Sequence, residues 1–247
     1  VRGGEATPVV KGMTLAEGDI VETGLNGFAT LVLPDASQVS LPSSSRIRLA
    51  RLRQVPMSDS IDRRFTLEQG KSEAKVTPMT NPASRFLITT PVAVAAVRGT
   101  QFRVTYTPED LKAVTTVTEG KVAVGRVNGF EEVLVRANYG AIATSTGVSR
   151  AFELLPAPGV DTPERLQNEK AVTFRLKPVD GADKYLVEIA TDAGFVDRVG
   201  SQEITDLVAV FEGVPNGHYF VRAYAVDSLG LVGRPAQYAF ERVFAGP

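Results

Sequence analysis

Apolar residues recur at every second position in short bursts through the first part of this chain, and each burst is closed by a turn signal. Ile47 and Leu49 alternate with Arg46 and Arg48, so a strand here shows its apolar side chains to one face and its cations to the other. Before it, Gly18-Asp19 leads into Ile20-Val21, Asn26-Gly27 into Phe28–Leu33, Pro34–Ser37 into Gln38–Leu41, and Pro42–Ser45 into Arg46–Leu49. Strands of about five residues recurring every eight to ten or so predict a meander, a roll or a solenoid-like winding. No helix signal competes in the first fifty or so residues.

The middle of this pattern is Ile88–Val104, an apolar run of small and β-branched residues broken by Pro91 and Gly99. It reads as a strand, a tight corner and a second strand, buried on both sides. Arg98 lies within that run. A lone buried cation is costly, so a carboxylate or several backbone carbonyls are expected around it. Upstream, Pro56–Ser60 reads as an exposed loop, and the alternation at Phe65–Glu68 stops at Gln69-Gly70 before returning at Ala74 and Val76. Downstream, Thr107–Asp110 reads as a turn, and Asn128-Gly129 as a two-residue hairpin turn.

Composition narrows the chemistry. With 247 residues the chain can bury a core without staples, and its zero cysteines exclude disulfides, thiolate metal sites and a cysteine nucleophile. His218 is the single histidine, so any triad or imidazole site would rest on it, and a structural or surface role is expected instead. Adjacent carboxylates such as Glu131-Glu132 point to opposite faces of a strand. No catalytic residues, cofactor or metal ligands are therefore assigned, and the chain is read as a non-enzyme. No apolar run spans a bilayer, and Val1–Glu5 has no signal-like character and reads as the interior of a longer protein. Residues 1–150 hold 18 Lys and Arg against 14 Asp and Glu, and residues 151–247 hold 9 against 14. That asymmetry supports two domains, and neither half has the basic excess of a nucleic-acid binder.

The most suggestive surface group is Arg46, Arg48, Arg51 and Arg64, with Arg53 and Arg63 close by in sequence. On one sheet face they would form a stripe able to hold carboxylate or phosphate groups of envelope polymers. The alternative is a solvated face that discourages edge-to-edge pairing.

Residues 151–247 change character after Leu155–Gly159. About seven short strands follow, among them Val172–Leu176, Tyr185–Ile189, Val208–Phe211, His218–Val226 and Tyr238–Phe240, a number that suits a β-sandwich. The stretch Gly217–Ala223 with Asp227–Gly230 resembles the last hairpin of a fibronectin type III-like module, although the chain has no tryptophan.

Within about residues 11–145, Gly18-Asp19, Ala29–Leu31, Asp35–Ser37, Thr90-Pro91, Val97-Arg98-Gly99-Thr100, Phe102 and Glu119-Gly120 together resemble the FecR domain. Ala36 departs from the glycine usual in that family's turn. The resemblance implies an all-β fold, a β-solenoid or β-roll over 1–150 followed by a fibronectin type III-like sandwich over 151–247. Thr90, Pro91, Arg98, Gly99, Thr100, Phe102, Glu119 and Gly120 are then structural residues of the motif. It also implies a periplasmic or outer-membrane-associated place in a Gram-negative envelope, where such domains also follow LysM modules. Three functions stay open at this point. The preferred one is a monomeric, non-enzymatic scaffold contacting peptidoglycan or an envelope protein. The others are a signal-transducing sensory module of the anti-sigma regulator type, which adds a partner's strand at an open edge, and a carbohydrate-active enzyme.

Overall fold

The computed structural model describes residues 1, 3–161 and 165–245, and the chain divides into two compact units, Val1–Glu153 and Leu154–Pro247. Among the described residues there is no helix, and both units are all-β.

The first unit runs through β1 (Ile20–Glu22), β2 (Ala29–Val32), β3 (Gln38–Leu41), β4 (Arg46–Val55), β5 (Ser60–Lys75), β6 (Arg85–Thr89) and β7 (Ala93–Val97). It continues with β8 (Gln101–Thr107), β9 (Lys112–Glu119), β10 (Lys121–Arg126), β11 (Glu132–Arg136), β12 (Tyr139–Thr144) and β13 (Phe152–Glu153). One leaf has the order β1-β4-β5-β6-β7-β10-β11 and the other β2-β3-β5-β8-β9-β12-β13. The long β5 belongs to both. Its first part pairs with β4 and β6, its second with β3 and β8.

The change of leaf occurs at Gly70, with φ +83°, where a Cβ would lie 2.7 Å from Ser45 Cα. Inward positions accordingly shift from Phe65 and Leu67 before the glycine to Ser72 and Ala74 after it. The interruption of alternation at Gln69-Gly70 is thus a fold in one strand rather than the end of it. Other crossings between leaves also use the left-handed region: Ser44 between β3 and β4, and Asn138 between β11 and β12. All pairings here are antiparallel except β5 with β6. Solenoid windings pair in parallel, so of the two expected forms this is a roll.

Between the leaves lies a continuous apolar core. Ile47, Leu49, Phe65, Phe86 and Ile88 come from one side, and Leu41, Phe102, Val104 and Val117 from the other. The Phe65 and Phe86 rings lie 5.4 Å apart. Full burial of each such side chain stabilises the fold by roughly 1.5–3 kcal/mol relative to exposure.

The second unit contains β14 (Val160–Asp161), β15 (Leu166–Gln167), β16 (Val172–Leu176), β17 (Ala182–Ala190), β18 (Arg198–Ile204), β19 (Val208–Phe211), β20 (Gly217–Asp227) and β21 (Ala236–Arg242). A sheet β14-β16-β19 faces a sheet β15-β21-β20-β17-β18, the arrangement of a fibronectin type III-like sandwich. Phe174 sits at the centre of the sandwich core, meeting Phe211, Tyr238 and Phe240 edge-on at 5.2–6.1 Å. Tyr219 donates its hydroxyl to the Pro215 carbonyl at 2.9 Å, the tyrosine corner of sandwich folds.

Two glutamines extend the sheets with side-chain amides. Gln167 on β15 exchanges hydrogen bonds with the backbone of Thr173 at 3.0 and 3.3 Å, continuing a ladder beside β16 beyond β14. Gln202 does the same for Val210 on β19, at 2.5 and 3.2 Å, and so blunts that edge.

Two expectations need correction. Arg98 is exposed and sits past the end of β7, where its guanidinium meets the Pro82 carbonyl. Strand period ends at Val97, so the next side chain turns out to solvent. A carbonyl cage of the kind expected there belongs instead to Arg242, 2% exposed, which donates to the carbonyls of Gln167, Glu169 and Lys170. Asn128-Gly129 does lie at a turn, with Asn128 at φ 57°, but the loop runs from Val127 to Glu131. The hydrogen bond from Gly129 N to Arg126 O closes a turn inside that longer loop.

Candidate partner-binding surface

The outward face of the first leaf gathers the sequence-predicted residues. Register places Leu134, Ala123, Ala96, Leu87 and Arg64 in one row across β11, β10, β7, β6 and β5. A neighbouring row is Gly125, Val94, Thr89, Thr66 and Arg48. Small and half-buried side chains therefore make a shallow floor between arginines at one end and β11 at the other.

At the arginine end every guanidinium of the predicted stripe has a carboxylate. Arg46 bonds Glu22 at 2.5 Å and Glu68 at 2.8 Å, and Arg48 takes the other Glu68 oxygen at 2.8 Å. Arg51 and Arg64 share Asp62 at 3.2 and 2.8 Å, and Arg53 pairs with Glu17 at 3.1 Å. The cations do share a face, as the alternation indicates, but Glu22, Glu68 and Asp62 turn the stripe into a ladder of alternating charge. Burial works to raise the Glu68 and Asp62 carboxyls, and the hydrogen bonds from their arginines outweigh it, holding both below the ordinary carboxylate range. Arg63 is not on this face. It points inward.

The family-motif residues build the other end. Thr90 closes the β6–β7 turn, its hydroxyl accepting from Ala93 N at 2.9 Å and Val92 N at 3.3 Å, with Pro91 exposed at the tip. Gly99 (φ +116°) and Gly120 (φ +77°) are stacked where the chain changes leaf between β7 and β8 and again between β9 and β10. A Cβ on Gly99 would stand 2.6 Å from Pro78 Cα, and one on Gly120 would stand 2.8 Å from Gly99 O. Only glycine lets these backbones approach so closely. Thr100 and Phe102 are buried next to them, while Glu119 is exposed.

Beside that stack is a groove of about 480 Å³ lined by Arg98, Lys121, Arg136, Leu134 and the two glycines. β11 forms its rim and hydrogen-bonds β10 alone among the described strands. Phe130, in the preceding loop, is fully exposed, and Leu134 is 51% exposed. Sequence reading missed this rim because Val133 and Val135, which face inward, carry the apolar alternation. The available signal was Phe130 and Leu134 out of phase with it.

Among the described residues no three or more of His, Asp and Glu gather as a metal site would. His218 lies exposed on β20, across from Glu241.

Residues 19–123 match the family described as FecR protein. No curated protein matches the chain. Among solved structures, the chain is similar to a candidate anti-sigma factor from Parabacteroides distasonis. The two are 20% identical, with 55% of this chain and 59% of that one covered at a TM-score of 0.45. It is also similar to an Fn3-like protein from Clostridium thermocellum, at 15% identity over 38% of this chain and 94% of that one, with a TM-score of 0.28. The FN1–FN3 domains of chicken CNTN1 are 12% identical over 84% of this chain and 76% of theirs, with a TM-score of 0.30. The chain spans 59% of the length of the Parabacteroides protein.

Proposed function

We propose that the FecR domain at residues 19–123, with the strands that complete its leaves, is a non-enzymatic sensory module working outside the cytoplasmic membrane. It docks an extended segment of an envelope protein against β11. The observation that carries this reading is an open edge strand bordered by exposed Phe130 and Leu134 and by three cations, Arg98, Lys121 and Arg136. Backbone pairing along an edge supplies affinity, and flanking pockets supply choice of side chain. The cations select a segment carrying a carboxylate next to an apolar residue.

A photo-crosslinker placed at Leu134 in the full-length protein, in its native envelope, tests this. The expected result is one discrete adduct with an envelope protein, reduced by Leu134→Lys at an adjacent labelled position and absent with the crosslinker at Met57. Adducts of equal yield from both positions would remove β11 from the account.

The second reading is a scaffold held on peptidoglycan. The exposed Arg48 and Arg53 guanidiniums favour it, since both keep part of their surface in solvent beside their carboxylates. Purified sacculi should then retain the wild-type protein and release Arg46→Glu/Arg48→Glu. Equal retention of both proteins would remove those arginines from the account.

A further inference from the structure

A second cavity, of about 290 Å³, opens between the β2–β3 turn, the turn end of the β4–β5 hairpin and the segment 77–84. It holds two polar groups that are incompletely satisfied. Arg63, 4% exposed, faces into the unit from β5 and lines the cavity. Its Nη1 donates to the Arg53 carbonyl at 2.8 Å, its Nε is buried without a partner, and it makes no ion pair among the described residues. Its neighbours Arg51, Arg53 and Arg64 all have carboxylates, so Arg63 stands apart as a buried cation whose one hydrogen-bond partner is neutral.

On the cavity wall lies Asp35. Its Oδ2 accepts from Ser37 Oγ at 3.0 Å, and its Oδ1 is buried with no donor. The turn that carries it is held in place from outside the hairpin, since Thr77 N donates to Ser37 Oγ and Thr77 Oγ1 to the Asp35 carbonyl. Much of the remaining polar wall is already engaged: Gln54 bonds Asp59, and Ser84 Oγ accepts from Ile61 N.

We propose that this cavity binds a small zwitterion of amino-acid chemistry, with its carboxylate on Arg63 and its ammonium on Asp35. A buried guanidinium without a counter-charge is an unfavourable arrangement that an incoming carboxylate relieves through a charge-assisted pair. An anion alone would meet Asp35 and Asp59, and a cation alone would meet Arg63. A molecule with both charges satisfies each group with the sign it lacks. The volume sits at the lower limit of small-molecule sites, which suits an amino acid or dipeptide rather than a polymer. Pro34, Ile61, Pro78 and Met79 supply the apolar part of the wall. This site is separate from the β11 rim and does not depend on the docking reading.

The test is calorimetric titration of the full chain with glycine, L- and D-alanine, L-lysine and dialanine, beside N-acetylalanine and alaninamide. At least one free amino acid or the dipeptide should bind. For the alanine that binds, acetylating the amine or amidating the carboxylate should each weaken affinity about tenfold or more. Asp35→Asn, on an exposed turn, should weaken the free ligand by a similar factor and leave N-acetylalanine unchanged. Failure of every amino acid and dipeptide to bind at millimolar concentration would overturn the proposal. So would binding that is indifferent both to acetylation and amidation of the ligand and to Asp35→Asn. The ligand derivatives are tested on the wild-type protein, so the outcome does not depend on any variant folding.

Discussion

Single side chains carry strain and charge in ways that alternation does not advertise. Ala36 occupies the left-handed region, φ 62°, in a turn that closes with Leu33 N on Ser37 O at 2.8 Å. An L-residue pays roughly 1 kcal/mol there that glycine avoids. Ala36→Gly should therefore raise stability by up to about 1 kcal/mol in urea unfolding. Gly99→Ala should do the opposite, at a cost of about 2 kcal/mol or more, because the new methyl meets Pro78 backbone at a positive φ. Equal midpoints for wild type and Gly99→Ala would mean the corner relaxes freely. In the second unit, Glu188 is fully buried and accepts from Arg198 at 2.7 Å and from Arg222 at 2.7 and 3.1 Å. The Arg222 guanidinium also lies 4.1 Å from the Phe195 ring centroid. Glu188→Gln takes a carboxylate away from two buried cations and should cost about 3–5 kcal/mol, read by chemical denaturation. Spacing marks Gly99 as a corner and Pro34–Ser37 as a turn, but it shows neither the Pro78 backbone against Gly99 nor the arginines around Glu188, because other parts of the chain bring those near.

At the scale of elements, the ladder on β1, β4 and β5 makes stability depend on acid. The Glu68 and Asp62 carboxyls titrate below their unfolded values, so the folded state binds fewer protons than the unfolded one in that window. Their contribution is complete above the unfolded carboxylate values, near about pH 4, and is lost as pH falls through the lower folded values. Glu68→Gln should flatten the slope of stability against pH between about pH 5 and 3, measured by urea midpoints. An unchanged slope would show that these bonds are equally present in the unfolded chain. The strand that carries Arg46 and Arg48 was readable from the alternation of Ile47 and Leu49. Their carboxylate partners were not, since Glu22 and Glu68 come from strands placed beside β4 only by the tertiary pairing.

Across the whole molecule, two separate cores follow from the two units. Phe65, Phe86 and Phe102 anchor one, and Phe174, Phe211 and Phe240 the other. Phe65→Ala, which empties a fully buried site, should cost about 3–5 kcal/mol. In scanning calorimetry it should lower one component of the unfolding profile and leave the component moved by Glu188→Gln in place. A single peak shifted as a whole by either substitution would mean that the units unfold together.

Local pattern suffices for an all-β chain, for the alternation of inward residues on β4, β6 and β8, and for corners at Thr90-Pro91, Gly99 and Gly120. Those properties follow from local rules: a period of two, φ limits at proline, and freedom at glycine. Long-range packing sets the rest: β5 serves two leaves, Arg98 faces solvent while Arg63 and Arg242 are buried, and β11 pairs with β10 alone among the described strands. Burial, charge pairing and edge status are set by which distant strands become neighbours. That choice is made by packing over the whole core, where no local pattern records it.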